Sequence, residues 1–297
     1  MRRFITLGLL CLFLVTGLGS GEHPAFRTDV TSPAPWTDRP IRAEGREFSF
    51  AVVGDRAGGT RLGVFAAAVE KLNELQPAFV MSVGDLKGGN VPGLASTPEI
   101  RDKHILQWQY FDELVNRLDM RFFYVGGNAD FTVGRPQPFQ APDDLKKRIW
   151  AERYGPTYYT FVFQDVLFVV LDTDDPPFEH GRGFLNFAQR DWLTAELAKH
   201  PDPRWTFVFF HKPLWRDTPE QWEEIDKILP KKRITVFSGH YHRYAKEKVK
   251  GRRHYSLSAT GGAITEGEPG AFDHLMWVTV TDKKPKIKNI RLKIPKK

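Results

Sequence analysis

The sequence predicts a mixed α/β fold with two sheets, and three features of its 297 residues support that prediction. An amphipathic helix separates the first two buried apolar runs, which favours parallel pairing with a right-handed crossover. Apolar runs outnumber helical patterns along the chain, and the later runs follow one another with few helices between them. We therefore expect mostly parallel strands in the first half and more antiparallel strands in the second half.

The first strand-helix-strand unit begins at "REFSFAVVGD", a buried strand that ends at Gly54 and Asp55. Thr60 is a favourable N-cap residue for a following helix, whose apolar stripe contains Leu62, Phe65, Val69, Leu72 and Leu75. Pro77 ends this helix, and "AFVMSVGD" is the second buried strand, which ends at Asp85. The unit is the start of a sheet with a helix on one face.

The remaining elements follow from similar patterns. Residues 86–103 form a predicted loop before a second amphipathic helix with Ile105, Trp108, Phe111, Val115 and Leu118 on one face. The third strand is "RFFYVGGN", and further strands are predicted at "TYYTFVF", "VLFVVLD", "WTFVFFHKP", "ITVFSGHYH", "HYSLSATGG" and "DHLMWVTV". Near the C-terminus, Ile290, Leu292 and Ile294 alternate with Arg291 and Lys293, which predicts an edge strand with a charged, solvated face.

Composition fits one large domain. The chain is 41% hydrophobic and 27% charged, and no repeat, low-complexity tract or long linker divides it. We predict a single domain over residues 47–297, preceded by an extended lead-in at 22–46 that is rich in Pro, Thr and Asp. The formal net charge of +7 arises from residues 282–297, where eight Lys or Arg face one Asp. A contact of this basic end with an anionic membrane or cell-wall polymer is the alternative to the edge strand.

Residues 1–21 have the pattern of a secretory signal peptide. A basic start with Arg2 and Arg3 precedes an apolar run at 4–15 and then small residues. The run is too short and wrongly flanked for a stable membrane span, so an uncleaved anchor is the second interpretation. We expect export to the periplasm or the extracellular space. Cys11 is the only cysteine, which excludes disulfides, cysteine nucleophiles and thiolate metal sites from the mature chain.

Metal-competent side chains follow five separate apolar runs. Their members are Asp55, Asp85, Asn128, His211 and His240, with His242 two residues after His240. A single such residue after a strand is more often a turn former or a satisfied surface group. Five successive cases are hard to explain in that way, because the carboxyl ends of strands in open α/β sheets are where ligands bind. We therefore expect the six side chains to converge on one pocket.

Carboxylate, amide and imidazole ligands suit divalent Mn, Fe or Zn, and six donors are enough for one or two ions per chain. Two ions about 3.5–4 Å apart can activate water and hold both oxygens of an in-line displacement at phosphorus. The pattern therefore indicates phosphoester chemistry.

These motifs resemble those of the calcineurin-like metallophosphoesterases. The matching segments, in the family's order, are Gly54-Asp55, Gly84-Asp85, Gly127-Asn128-x-Asp130, His211 and Gly239-His240-x-His242. The segments "VGDRAGG", "FVMSVGDL" and "HKPLW" further resemble a bacterial branch of the family with a GDRTGG-like first motif. The resemblance covers about residues 47–280, and it implies a β-sandwich flanked by helices, layered α/β/β/α, with a dinuclear site.

The resemblance also implies a ligand assignment. Asp55, Asp85 and His242 would hold one metal, and Asp85 would bridge to a second metal held by Asn128, His211 and His240. Asp85, Asn128 and His240 are candidate catalytic residues on the same grounds. Arg56 is a fourth candidate, because it adjoins Asp55 at a helix start where backbone N–H groups favour phosphate.

Two positions depart from the family pattern. Ala57 stands where the first motif usually has a histidine that binds metal, and Ala129 stands where GNH-type motifs have a histidine thought to assist the leaving group or the phosphate. Loss of a general acid typically costs about 10²–10⁴-fold in rate. Asp130 is expected to be a supporting carboxylate or turn cap, and His180 is a weaker candidate for a substitute proton donor.

Three hypotheses for function stay open, in this order. The first is an exported, metal-dependent phosphoesterase that acts on a phosphomonoester or phosphodiester of a small molecule. The second is a catalytically silent relative that binds a metal or a phosphorylated ligand. The third is an α/β binding protein without metal, which would leave the aligned ligands unexplained. No nucleic-acid-binding module is evident. The loops that should set substrate specificity are 86–103, 131–149, 173–184 and 262–273. Their residues indicate neither the substrate nor the oligomeric state.

Overall fold

A computed structural model of the chain describes residues 25–43, 45–88, 97–131, 144–175 and 182–293. The predicted signal peptide at 1–21, His180, Ile294 and parts of the predicted specificity loops lie outside the described residues. The strands are β1 (Phe26–Arg27), β2 (Phe48–Val53), β3 (Phe79–Ser82), β4 (Arg121–Phe123), β5 (Tyr159–Phe163), β6 (Val166–Val170), β7 (Trp205–Phe209), β8 (Ile234–Ser238), β9 (Ala245–Val249), β10 (Arg252–Ser256), β11 (His274–Val280) and β12 (Lys286–Arg291). The helices are α1 (Val64–Leu75), α2 (Pro98–Val115), α3 (Asn128–Phe131), α4 (Leu145–Tyr154), α5 (Phe187–Lys199), α6 (Leu214–Asp217) and α7 (Pro219–Ile228).

The strands form two sheets, so the predicted fold class is confirmed. A five-stranded sheet has the order β12-β11-β2-β3-β4, and a seven-stranded sheet has the order β1-β5-β6-β7-β8-β10-β9. An edge strand near the C-terminus is present as β12, but it ends at Arg291, so Leu292 and Lys293 of the predicted alternation follow it. The strands β2, β3 and β4 pair in parallel, as expected for the first half of the chain.

The second half of the chain is less antiparallel than predicted. The strands β6, β7, β8 and β10 pair in parallel in the centre of the larger sheet, while β5 and β9 pair antiparallel to their neighbours. The helix α5 crosses from β6 to β7, and α6 and α7 cross from β7 to β8. We missed the first crossover because α5 buries the polar side chains of Gln189 and Glu196 beside Leu193, so its sequence lacks a clear apolar stripe.

Two helix boundaries also differ from the predictions. The helix α1 begins at Val64, because Gly63 before it adopts a left-handed conformation with φ of 84°, and Leu62 is exposed instead of lying on the apolar stripe. The helix α2 begins at Pro98, inside the predicted loop, and the Thr97 side chain caps it by accepting a hydrogen bond from Ile100 N–H.

Three apolar clusters fill the spaces between four layers. The two sheets enclose a cluster of phenylalanines, in which Phe50 stacks on Phe79 with ring centroids 5.3 Å apart and Phe161 stacks on Phe168 at 4.6 Å. A second cluster joins α1, α2 and α4 to the smaller sheet, and a third joins α5, α6 and α7 to the larger sheet. This is the α/β/β/α layering that the resemblance implied. Among the described residues, no helix has both the length and the apolar composition that a bilayer crossing requires.

Residues of the predicted lead-in pack on this sandwich. Phe26 lies on β1, which pairs antiparallel with β5. Trp36 forms a bridge with Phe123, and the ring centroids of these two residues are 5.6 Å apart. The boundary at residue 47 stays a prediction.

Candidate metal centre

Five loops bring the six predicted ligands to one end of the sandwich. Asp55 follows β2 and Asp85 follows β3 in the smaller sheet, whereas His211 follows β7 in the larger sheet. Ligand atoms of these three residues lie within 4.8 Å of one another, and all three side chains are buried. The carboxyl ends of parallel strands from both sheets therefore face the same site.

The His211 imidazole is in contact with three of the other predicted ligands. Its Nε2 lies 3.0 Å from Asn128 Oδ1, 3.3 Å from Asp85 Oδ1 and 3.3 Å from His240 Nδ1. Its Nδ1 lies 2.9 Å from the Val83 carbonyl oxygen, which accepts a hydrogen bond from it. A backbone acceptor at Nδ1 directs Nε2 toward the site, as in histidines that bind metals.

His242 forms a second group with Asp55. The distance from His242 Nε2 to Asp55 Oδ2 is 3.2 Å, and the His242 Nδ1 is held by the Ala263 carbonyl oxygen at 2.5 Å. The backbone N–H of His240 donates to the same Asp55 oxygen at 2.9 Å. Asp55 therefore contacts both His242 and the backbone of His240, and the division of the six residues between two metals stays a prediction.

The backbone is strained at three of these residues. The φ angles are 54° at Asp85, 77° at His240 and 51° at His242, all in the left-handed region that side chains other than glycine rarely adopt. Such strain persists only where the surrounding structure fixes it, and it is concentrated at functional sites. Close approach also requires glycine at position 84, where a Cβ would lie 2.7 Å from His211 Nδ1.

The donors fit a divalent cation. Asp55 Oδ1 is buried without a hydrogen-bond partner, although a buried carboxylate oxygen is normally satisfied. Burial opposes the charged form of His211, yet Asp85 and Asp55 raise the pKa of its imidazole to about 10. Burial likewise opposes charge on Asp85, but the charge and hydrogen bond of His211 lower the pKa of its carboxyl to about 2. The two carboxylates therefore favour a positive charge in the site. A bound metal ion would supply that charge, and His211 would then be neutral and able to bind the metal.

The remaining ligand histidines differ in charge preference. Burial, followed by the positive charge of His211, lowers the pKa of His240 to about 4, so this imidazole is neutral and competent to bind metal. Burial opposes the charged form of His242, but the hydrogen bond and charge of Asp55 raise its pKa. The Asp55 carboxylate contacts the His242 imidazole, whereas the His240 imidazole contacts His211.

Asp130 is a supporting carboxylate of the site, as the sequence predicted. Its buried carboxylate accepts hydrogen bonds from the backbone N–H groups of Leu86, Lys87 and Gly127 at 3.0–3.1 Å. Burial, followed by the charge of Asp85, raises the pKa of this carboxyl to about 6. Asp130 therefore ties the loop after β3 to the loop after β4.

The two alanines occupy different environments. Ala57 is 2% exposed, and its N–H donates to the Asp85 carbonyl oxygen at 2.7 Å. Ala129 is half-buried, and its N–H donates to Asp85 Oδ1 at 2.7 Å. The backbone of each alanine thus holds Asp85, while neither side chain offers a proton or a metal ligand.

The structure does not bring Arg56 to the ligand cluster. Its side chain is 4% exposed, donates to the Leu86 carbonyl oxygen at 3.0 Å and stacks over Tyr110 and Phe111. These contacts fix the loop after β3 against α2, which differs from the predicted contact with an oxyanion. Burial lowers the pKa of the Arg56 guanidinium without removing its charge.

Sequence reasoning missed four lysines near the site. Lys87 follows Asp85 and Lys212 follows His211, and both are 2–3% exposed. Lys146 and Lys147 come from the first turn of α4, and the Lys146 Nζ donates to the Ala129 carbonyl oxygen at 2.9 Å. The lysine in "HKP" was visible beside a predicted ligand, but nothing in the sequence around α4 links Lys146 to position 129.

The fold and this donor set define a class of protein: a metal-binding α/β sandwich with the features of a phosphoester hydrolase. The sequence matches the family described as calcineurin-like phosphoesterase over residues 48–244. The chain belongs to this family, whose members are phosphoester hydrolases that use divalent metals. The resemblance to the bacterial branch stays a prediction.

Solved structures share the fold at low sequence identity. The structure of PhoD has a TM-score of 0.60 and 14% identity, and the match covers 82% of this chain and 65% of PhoD. A dimetal phosphatase from Danio rerio has a TM-score of 0.56 and 14% identity, with 86% and 100% covered. GAP50 of Plasmodium has a TM-score of 0.53 and 15% identity, with 84% and 90% covered. A search of curated proteins finds no match.

Proposed function

We propose that this protein is an exported, metal-dependent phosphoesterase that hydrolyses a phosphomonoester or phosphodiester of a small molecule. One observation carries the proposal: in a chain of this family, the buried Asp55, Asp85 and His211 lie together, and the three other predicted ligands contact His211 or Asp55. The description of a structural neighbour as a dimetal phosphatase supports the same activity.

Each predicted ligand has a proposed role that follows from its position in the site. Bound divalent ions would supply a Lewis acid and lower the pKa of water. A ligand atom of Asp85 lies within 4.8 Å of ligand atoms of both Asp55 and His211, so Asp85 is the carboxylate that would hold both ions. Asn128 and His240 contact His211, and these three residues would hold the second ion together with Asp85. The Ala129 side chain has no acidic proton to give to a leaving group. Esters with good leaving groups and anhydrides should therefore be the best substrates.

Turnover of aryl phosphates tests the proposal. Metal-loaded wild-type protein should hydrolyse para-nitrophenyl phosphate or its bis ester, and Asp85→Ala should reduce kcat/KM by at least about 10³-fold because it removes the carboxylate that would hold both ions. Asp165→Ala is a control, since this carboxylate is exposed and pairs with Arg27 on the surface. Wild-type protein that is metal-loaded but inactive on every phosphoester would contradict the proposal.

A second candidate is a catalytically silent relative that binds a metal or a phosphorylated ligand. The observation that favours it is the presence of Ala57 and Ala129 at positions of family histidines. GAP50, which has the same fold, is described as the anchor in the inner membrane complex of Plasmodium, and that description names a structural role and no catalytic activity. Ala129→His distinguishes the candidates: activity gained by the variant from an inactive wild type would support the silent relative.

We also propose export through residues 1–21. Fractionation of cells that express the full chain should place the mature protein outside the cytoplasm, with a mature N-terminus close to residue 22. Retention of Met1 on a membrane-associated chain would support the uncleaved anchor instead.

A further inference from the structure

We propose that Ser258 is a positioning residue for the metal centre, an inference that rests on the metal-dependent function proposed above. The Ser258 side chain is fully buried, and its hydroxyl donates to the His242 carbonyl oxygen at 2.7 Å. The imidazole of this same His242 contacts the Asp55 carboxylate at 3.2 Å. Ser258 therefore acts on a predicted metal ligand through the backbone of that ligand.

The loop between β10 and β11 holds both members of the His242–Asp55 pair, although it supplies no predicted ligand. The Thr260 N–H donates to the Asp55 carbonyl oxygen at 2.8 Å. The Ala263 carbonyl oxygen contacts His242 Nδ1, which leaves Nε2 to face Asp55. Ser258 adds the contact that fixes the His242 peptide, so backbone and imidazole are held from the same loop.

The strained backbone of His242 is the feature that the Ser258 hydroxyl stabilises. With φ of 51°, His242 lies in the left-handed region, which a residue with a side chain keeps only where surrounding contacts hold it. Rotation of this backbone to a right-handed or extended conformation would turn the carbonyl oxygen away from Ser258 and the imidazole away from Asp55. The hydrogen bond from Ser258 and the direction of the imidazole are therefore coupled.

Ser258 is itself held in place by buried neighbours. Its N–H donates to His274 Nε2 at 2.8 Å, and His274 Nδ1 in turn donates to Asn289 Oδ1 at 2.8 Å. The Phe272 N–H donates to Ser258 Oγ at 3.2 Å, so the hydroxyl proton is directed to the His242 carbonyl oxygen. A hydroxyl with both its donor and its acceptor roles occupied has one orientation, which suits it to fix the backbone of a ligand.

Metal affinity tests the role of Ser258. In Ser258→Ala, the Kd for Mn²⁺, measured by isothermal titration of the metal-free protein, should rise about tenfold or more because the direction of the His242 imidazole is no longer fixed. Ser256→Ala is the matched control, since this serine is equally buried and its hydroxyl lies 3.2 Å from Ser238 Oγ instead of a ligand backbone. The control should change the Kd less than about twofold.

A double-mutant cycle separates action through His242 from a general effect on stability. His242→Ala removes the imidazole, so adding Ser258→Ala in that background should change the Kd for Mn²⁺ less than about twofold. A serine that only stabilises the fold would reduce metal affinity by the same factor in both backgrounds. That result, or equal Kd values of Ser258→Ala and wild type, would overturn the role of Ser258 while leaving the phosphoesterase intact.

These binding measurements do not depend on turnover, so the two proposals can fail separately. Metal-loaded wild-type protein that is inactive on every phosphoester would overturn the proposed function, and the Kd values would still decide the role of Ser258. In an active protein, Ser258→Ala should lose hydrolysis of para-nitrophenyl phosphate at limiting Mn²⁺ and recover it at saturating Mn²⁺. A wild-type chain that binds no metal would overturn both proposals.

Discussion

Asp130 shows how a single carboxylate can fix the geometry of the site without binding the substrate. Its three backbone donors belong to the loops that carry Asp85 and Asn128. The sequence analysis expected a supporting carboxylate or a turn cap at Asp130, which belongs to the motif that resembles the family. It could not predict the partners, because the distance between the two loops depends on the parallel pairing of β3 and β4.

Removal of the Asp130 carboxylate should destabilise the protein. Asp130→Ala leaves three buried N–H groups without an acceptor, and we expect the free energy of unfolding to fall by about 3–5 kcal/mol. Asp130→Asn keeps one acceptor oxygen and should lose less. Urea unfolding of the three proteins measures both differences, and equal stability of wild type and Asp130→Ala would contradict the supporting role.

The two alanines were visible in the sequence, but their surroundings were not. Ala57 is almost fully buried, so an imidazole at this position would have to displace neighbouring groups. Ala129 is half-buried and has more room. Histidine at position 129 is therefore the better of the two substitutions for testing the family pattern.

The strands and their following loops are the elements that build the site. The order of ligands after apolar runs was predictable because strand ends are marked by abrupt changes from apolar to polar residues. The strand β9 was not predicted, because its sequence, AKEKV, is dominated by charged residues. Its place at the edge of the larger sheet explains the exposure of those charges.

The loop after β8 packs closely against the loop after β2 at Gly239 and Asp55. A Cβ on Gly239 would collide with Asp55 Oδ1, the buried oxygen without a hydrogen-bond partner. Gly239→Ala should therefore weaken metal binding about tenfold or more, because it displaces a ligand atom. Isothermal titration of metal-free protein with Mn²⁺ or Zn²⁺ measures this change.

The control for that substitution is Gly251→Ala. Gly251 lies between β9 and β10 with φ of 84° and has open space at the Cβ position. Alanine there should reduce stability through backbone strain and leave the metal affinity unchanged. Equal metal affinities of Gly239→Ala and wild type would contradict the arrangement of Asp55.

Across the whole molecule, two sheets and three apolar clusters hold the site without disulfides among the described residues. The layering could be predicted from the resemblance of the sequence to the family. The parallel centre of the larger sheet could not be predicted, because α5 buries polar side chains of its own and its sequence therefore lacks the apolar stripe of a crossover helix. His254 and His274 are buried as well, and neither is among the predicted metal ligands. His274 accepts from Ser258 N–H through Nε2 and contacts Asn289 Oδ1 through Nδ1, both at 2.8 Å.

These histidines make stability depend on pH. Burial lowers the pKa of His274 from 6.5 to about 4, and burial does the same for His254. The unfolded chain binds more protons than the folded chain between these values, so stability should be full above pH 6.5 and fall as the pH decreases to 4. Urea midpoints across this range should change less in His274→Gln than in wild type, and identical pH profiles would contradict the assignment.

Metal analysis of the purified protein tests whether the six side chains from five loops form a metal centre. We expect at least one equivalent of Mn, Fe or Zn per chain by plasma mass spectrometry, and a large loss of that metal in Asp85→Ala. A wild-type chain that is folded, carries no metal and fails to bind Mn²⁺, Fe²⁺ or Zn²⁺ on reconstitution would contradict the claim.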